Sequence, residues 1–268
     1  MFLTCHYFSF ALGRNVELNV VIPTPEGNEQ IAAAGKDMRY DYEHGLPVVY
    51  LLHGAYGDNS SWMRFSSVER YLQAHNCIGV MAGVENSFYQ DMAHGGKYFT
   101  YMTEELPAYV TRLFPASKKR EDTYIAGLSM GGYGAWFLAL SKPGLYAKAA
   151  SMSGALDIAA LYDSVKGKED PNSPFRWRDI FGERVDHLVS GACDLFALYE
   201  KDCADGLIPQ LYQSCGDQDF LFKMNQDVHQ RMTALGADIT YHEAPGHDHN
   251  WDFWDQDIRR VLDWFFRE

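Results

Sequence analysis

The sequence is poor in basic residues, in cysteine and in long apolar runs. Against 36 aspartates and glutamates stand 23 lysines and arginines, leaving a net charge of -13. The densest basic stretch is the trio Lys118, Lys119 and Arg120. A nucleic-acid partner needs a basic face to displace counterions, and an anionic membrane surface needs a polybasic segment, so neither is expected. Apolar runs such as residues 48–52 and 78–84 fall far below the roughly 20 residues that cross a bilayer. Residues 1–12 lack a basic stretch and are interrupted by Cys5, His6 and Ser9. No export signal is therefore expected, and the chain reads as cytoplasmic. The five cysteines, Cys5, Cys77, Cys193, Cys203 and Cys215, are odd in number and lack Cys-x-x-Cys spacing. Reduced thiols are expected in a chain this large, with Cys193 and Cys203 the one pair placed for a local disulfide.

What is present is core. Of 268 residues, 47% are hydrophobic and 15% aromatic, enough to bury one large interior. Strand-like runs fall at 16–22, 47–52, 78–84, 123–128, 147–152, 207–214 and 239–243, with helical patterns between them. Helices are expected from Ser60 to Leu72, over 98–114 with a kink at Pro107, and over 130–140, 220–235 and 253–266. Continuous apolar strands alternating with helices predict an α/β fold with a mostly parallel sheet covered on both faces. Residues 157–206 break the pattern and read as an insertion within a single domain spanning 1–268. A long polar connection holding Pro23, Pro25, Gly27, Gly35 and Gly45 separates the first two strand runs.

The chemistry concentrates at Gly127-Leu128-Ser129-Met130-Gly131, a G-x-S-x-G sequence between an expected strand and an expected helix. A serine on such a turn presents its hydroxyl above the sheet, and glycines flank it because side chains there would meet backbone. The alternative is a glycine-rich turn with an ordinary N-cap serine. Serine is a poor nucleophile unless a base and an orienting carboxylate stand near, and in this setting both follow the serine in sequence. Asp217 and Asp219 offer the carboxylate after the run 207–214, with Asp217 also suited to a turn. His247 and His249 offer the base before the last helix. His242, His247, Asp248 and His249 have some spacing merit as metal ligands, but the serine accounts for them without one. An oxyanion needs backbone donors: Met130 N–H after the serine, and Ala55 N–H in the loop His53-Gly54-Ala55-Tyr56-Gly57.

Together these residues resemble the esterase D family of α/β-hydrolases, most of all its tributyrin esterase and feruloyl esterase branch. The resemblance spans most of the chain. It rests on Leu51-Leu52-His53-Gly54 with Trp62 beyond it, on the elbow at 127–132, on Cys215-Gly216-Asp217-Gln218-Asp219-Phe220-Leu221, and on His249-Asn250-Trp251-Asp252-Phe253-Trp254. It implies an α/β-hydrolase fold with a small lid at 157–206. It selects Asp219 as the acid and His249 as the base, and implies that no cofactor or metal is needed. Trp62, Asn86 and Trp177 become candidate substrate-binding residues, and Phe175 a candidate for the acyl pocket. Where the family usually carries Met-Pro, this chain reads Met81-Ala82-Gly83-Val84-Glu85.

The expectation is a serine carboxylesterase acting on small-molecule short-chain acyl or hydroxycinnamoyl esters, with a homo-oligomer allowed. The rivals are an S-formylglutathione hydrolase-type thioesterase, an acyltransferase, and a non-catalytic binding module on the same fold. The loop reading His-Gly-Ala, rather than the Ser-Gly-Leu of those hydrolases, disfavours the first.

Overall fold

The computed structural model describes residues 1–25, 42–167, 173 and 175–267. Most of the expected polar connection after residue 22 lies outside the described residues, as do Pro171 and Pro174. Eight strands form one sheet in the order β1-β2-β4-β3-β5-β6-β7-β8. They are β1 (Phe2–Ser9), β2 (Arg14–Val21), β3 (Val48–Leu52), β4 (Ile78–Ala82), β5 (Thr123–Leu128), β6 (Lys148–Met152), β7 (Gln210–Gly216) and β8 (Ile239–Ala244). β1 and β2 form an antiparallel hairpin, β2 also pairs antiparallel with β4, and the remaining pairs are parallel. This is the α/β-hydrolase fold.

The apolar runs are continuous because both faces of the sheet are covered. Along β3, Val48, Tyr50 and Leu52 enter one core and Val49 and Leu51 enter the other. On the first face lies α4 (Met130–Ser141), buried from Met130 to Leu140, which explains a helix apolar on every side. On the second lie α2 (Val68–Ala74) and α9 (Trp251–Phe265); α9 turns Phe253, Ile258, Val261 and Leu262 inward. α1 (Ser61–Phe65) follows the loop after β3, and α8 (Phe222–Ala234) connects β7 to β8.

Two local departures from expectation have physical causes. β1 was not foreseen. It is an edge strand whose outward positions include Phe2 and Phe8 beside Thr4 and His6, so no polar–apolar alternation marks it. The helix expected over 98–114 is interrupted by a π-turn at Tyr101–Glu105 before α3 (Leu106–Leu113). Pro107 has no N–H to return to the preceding turn. It sits instead in the first turn of α3, where a donor would go unpaired anyway.

The described part of the stretch 157–206 is largely helical. It holds α5 (Ile158–Val165), α6 (Trp177–Phe181) and α7 (Leu195–Asp205), with a 3-10 turn at Gly182–His187. Asp157 caps α5 by accepting Ala160 N–H at 3.0 Å, and Asp194 caps α7 by accepting Phe196 N–H at 2.9 Å. α7 packs on α4. All five cysteines are unpaired, Cys193 buried and Cys203 exposed, so the local disulfide does not form.

Candidate active site

Ser129 stands between β5 and α4 with φ 56° and ψ -121°, a conformation that L-residues rarely adopt. Its neighbours hold it there: Ser129 N–H donates to Met152 O at 2.9 Å, and Ala155 N–H donates to Ser129 O at 3.1 Å. The glycines leave room for this turn. A Cβ on Gly127 would lie 2.1 Å from Gly131 O, and one on Gly131 would lie 2.5 Å from His53 O.

Asp219 lies in the turn after β7 and is 5% exposed. Its Oδ1 accepts Leu221 N–H at 2.8 Å, and its Oδ2 lies 2.8 Å from His249 Nδ1. Burial works against the charge of Asp219, but hydrogen bonds from His249, Leu221 N–H and Ser153 outweigh it and hold the carboxyl below its ordinary range. An ionised Asp219 can only accept, so Nδ1 of His249 carries the proton and Nε2 faces Ser129 Oγ, 3.0 Å away, as an acceptor. The three residues, separated by 90 and 30 positions in the chain, thus form one connected line. His249 is also held on two sides, by Phe220 with ring centroids 4.6 Å apart and edge-on by Trp254 at 4.9 Å.

The competing candidates have other work. Asp217 accepts Gly246 N–H at 2.7 Å and ties two loops together. His247 packs on Phe253 at 5.3 Å, and its carbonyl accepts Gln218 N–H at 3.0 Å. His242 contacts Arg260 and faces Asp257. Among the described residues no group of three or more His, Cys, Asp or Glu side chains could hold a metal ion.

A cavity of about 610 Å³ opens over Ser129 and His249, with Ala55 and Met130 in its wall. Met130 opens α4, where the first N–H groups of a helix have no intrahelical acceptor. Among the described residues no acceptor takes the N–H of Ala55. Gly54 lets the two segments meet: a Cβ there would lie 2.7 Å from Leu128 Cδ1 and 3.1 Å from Ser129 Cβ. Phe88, Leu161, Phe175, Phe220 and Trp251 line the rest, with Arg64 and Asp58 also in the wall. Phe175 brings the 157–206 stretch to the cavity and meets Tyr56 at 6.0 Å and Phe88 at 5.3 Å.

Three residues expected to contact substrate do not line this cavity. Trp62 is 1% exposed and does not line the cavity. Its indole N–H donates to Leu52 O at 3.1 Å and its ring packs edge-on against Trp251 at 5.2 Å, so it supports the loop from inside the core. Trp177 is 4% exposed, stacked on Phe181 at 5.5 Å and packed on Tyr162 and Phe88. Asn86 also lies outside the cavity wall, and its Oδ1 accepts Tyr56 N–H at 2.8 Å. It positions the loop beside Ala55.

Sequence reasoning missed His53 as a structural anchor. The imidazole is buried, and its Nε2 accepts Val84 N–H at 3.0 Å, so the proton sits on Nδ1, which faces Gly54 O at 2.7 Å. Burial, only partly opposed by the Gly54 carbonyl, depresses its pKa and keeps the ring neutral. Tyr89 Oη donates to His53 O at 2.9 Å. The segment 81–85, where the chain departs from the family pattern, thus acts behind this loop and does not line the cavity. The only signal for these anchors was the His-Gly pair itself.

A family model described as "Putative esterase" matches residues 38–265. An acetyl esterase of Caldicellulosiruptor saccharolyticus is 30% identical over 262 residues, covering 97% of this chain and 96% of that protein. Two solved Staphylococcus aureus structures cover 100% of this chain and 99% of theirs. A substrate-bound fluorophosphonate-binding serine hydrolase F has TM-score 0.85 and 30% identity, and an S-formylglutathione hydrolase has TM-score 0.82 and 31% identity. No helix among the described residues is long and apolar enough to cross a membrane.

Proposed function

The chain belongs to the putative esterase family, an enzyme family acting on small-molecule esters, and from that premise we propose that it is a serine carboxylesterase for short-chain acyl esters. The observation that carries this reading is the line Asp219–His249–Ser129, at 2.8 and 3.0 Å, opening onto a cavity walled by Ala55 and Met130. Ser129 Oγ attacks the ester carbonyl while His249 Nε2 takes its proton. Asp219 holds the imidazole in the productive tautomer and balances the imidazolium. The N–H groups of Ala55 and Met130 receive the oxyanion; a donor of this kind is worth about 2.7–4 kcal/mol of barrier. His249 then protonates the departing alcohol, leaving Ser129 acylated. A water molecule, deprotonated by His249, attacks the acyl-enzyme, and collapse returns the proton to Ser129 and frees the acid. No metal or cofactor is required.

The acetyl esterase relative favours a small acyl group. An acetyl group fills only a fraction of about 610 Å³, and the remaining aromatic wall suits an apolar or ring-bearing alcohol, or a larger hydroxycinnamoyl acyl group. Residues 157–206, through Leu161 and Phe175, act as a small lid on the same domain. The five unpaired cysteines favour a cytoplasmic setting, tested by fractionation.

The test is turnover of p-nitrophenyl acetate by the protein and by Ser129→Ala, with fluorophosphonate labelling mapped to Ser129. Full turnover by the variant would sink the assignment. The 31% identical S-formylglutathione hydrolase supports a thioesterase as second reading. Relative kcat/KM for S-formylglutathione and for aryl acetates, butyrates and methyl ferulate separates the two.

A further inference from the structure

We propose that Phe88 closes the acyl end of the cavity and confines the substrate to a short acyl chain, an inference that rests on the reading of Ser129, His249 and Asp219 given above. The rings of the cavity wall fall into two groups, and among the described residues no ring contact joins them. One group runs through the base: ring centroids lie 4.6 Å apart for Phe220 and His249, 4.9 Å for His249 and Trp254, 5.4 Å for Trp254 and Trp251, and 5.4 Å for Trp251 and Phe65. The other joins the oxyanion loop to the 157–206 stretch: Tyr56 lies 6.0 Å from Phe175, and Phe175 lies 5.3 Å from Phe88.

The reaction gives each group a side. A carbonyl carbon held on Ser129 Oγ has three other substituents. Its oxygen turns to the N–H groups of Ala55 and Met130, and its leaving oxygen has to reach His249 Nε2 to be protonated. The alcohol therefore departs along the His249 group, and the acyl chain takes the remaining side, against Phe175 and Phe88. Phe88 ends that side. It stands in the cavity wall yet is only 1% exposed. Behind it Tyr133, Trp177 and Phe181 pack at 5.9, 5.3 and 6.1 Å, and none of the three lines the cavity. Close-packed rings leave a longer chain nowhere to go.

The backbone under Phe88 is held against its own preference. Glu85, Phe88 and Tyr89 have φ 53°, 49° and 59°, three left-handed non-glycine residues within five positions. Such strain persists only where the surroundings over-determine it. Tyr89 N–H donates to Ser87 Oγ at 3.1 Å, and Tyr89 Oη donates to His53 O at 2.9 Å. The side-chain amide of Gln90 donates to Phe88 O at 3.2 Å, and its oxygen accepts the Cys193 thiol at 3.1 Å. One turn is thus tied to the oxyanion loop on one side and to the 157–206 stretch on the other, which fixes the depth of the acyl end relative to the donors.

The test measures kcat/KM for p-nitrophenyl acetate, butyrate, hexanoate and octanoate with wild type, Phe88→Ala and Phe88→Leu, beside a series of acetates of different alcohols. Wild type is expected to fall steeply beyond butyrate. Phe88→Ala should raise the octanoate-to-acetate ratio by about tenfold or more, since a few methylenes admitted to an apolar pocket change kcat/KM on that scale. Phe88→Leu should move the ratio the same way by less, and the ranking of the acetates should stay as in wild type. A wild type that favours octanoate, an acyl profile unmoved in the folded variants, or a change confined to the alcohol series overturns the proposal. If Phe88→Ala does not fold, Phe88→Leu decides. Fluorophosphonate labelling of Ser129 with an unmoved acyl profile would mean that this proposal fails and the active-site reading stands. A wild type that does not label, or a turnover-competent Ser129→Ala, would overturn that reading and this proposal with it.

Discussion

The imidazole of His53 bridges its own loop to the strand-end beside it, accepting the N–H of Val84 at 3.0 Å while its other nitrogen faces the carbonyl of Gly54 at 2.7 Å. A buried neutral histidine thus sets the loop that presents Ala55. His53→Ala should lower kcat about 10- to 100-fold with little change in KM, since small displacements of preorganised donors are amplified in rate. The sign of the pH effect also follows. With its pKa lowered from 6.5 by burial, the folded chain binds fewer protons here than the unfolded chain does at mildly acid pH. The stabilisation is full above 6.5 and is lost as pH falls from there through the lower value held in the folded chain. Denaturant midpoints of wild type and His53→Ala should converge on acidification.

Asp217 and Asp219 are two positions apart and have opposite expected sensitivities. Asp219→Asn should lower kcat about 10³- to 10⁴-fold by disturbing the His249 tautomer. Asp217→Asn, which changes only an exposed loop tie, should leave kcat near wild type. Parallel kinetics on the two variants check both statements.

Phe175 and Trp177 divide substrate contact from core support. Phe175→Ala should raise KM for aryl acetates with little loss of melting temperature. Trp177→Ala should cost about 3–5 kcal/mol of stability, as large-to-small changes in a core do. A KM effect confined to Trp177→Ala would reverse the assignment.

Asp202, on α7, is 1% exposed and its Oδ2 has no described partner. Burial pushes its pKa up to about 6. Between the unfolded value of 3.8 and that value the folded chain binds more protons than the unfolded one, so stability falls as pH rises through this window. Above it the loss is complete. Asp202→Asn should therefore stabilise by about 1 kcal/mol at pH 8 and by nothing at pH 4, read from denaturant midpoints.

The strands, the elbow and the order of serine, acid and base were legible in the sequence because each leaves a local mark: a run of β-formers, a glycine pair, a polar cluster ending a strand. β1 left none, since an edge strand with Phe2 and Phe8 outward breaks alternation. Trp62 and Trp177 were misplaced for a related reason. An indole that closes a core and one that faces a ligand look alike in one dimension, and only burial, at 1% and 4%, separates them. The anchors His53 and Asn86 act through hydrogen bonds to segments distant in sequence, at Val84 and Tyr56, for which no spacing rule exists.

The backbone angles of Ser129 carry a consequence for unfolding. At φ 56° any side chain is strained by about 1–3 kcal/mol, and the pairings to Met152 and Ala155 hold the residue there regardless. Two inactive variants should therefore differ in resilience: Ser129→Gly, free of that strain, should melt higher than Ser129→Ala, which retains it. The native chain is in this sense less stable than its own fold permits, and part of that deficit sits at the residue whose hydroxyl has to face the cavity.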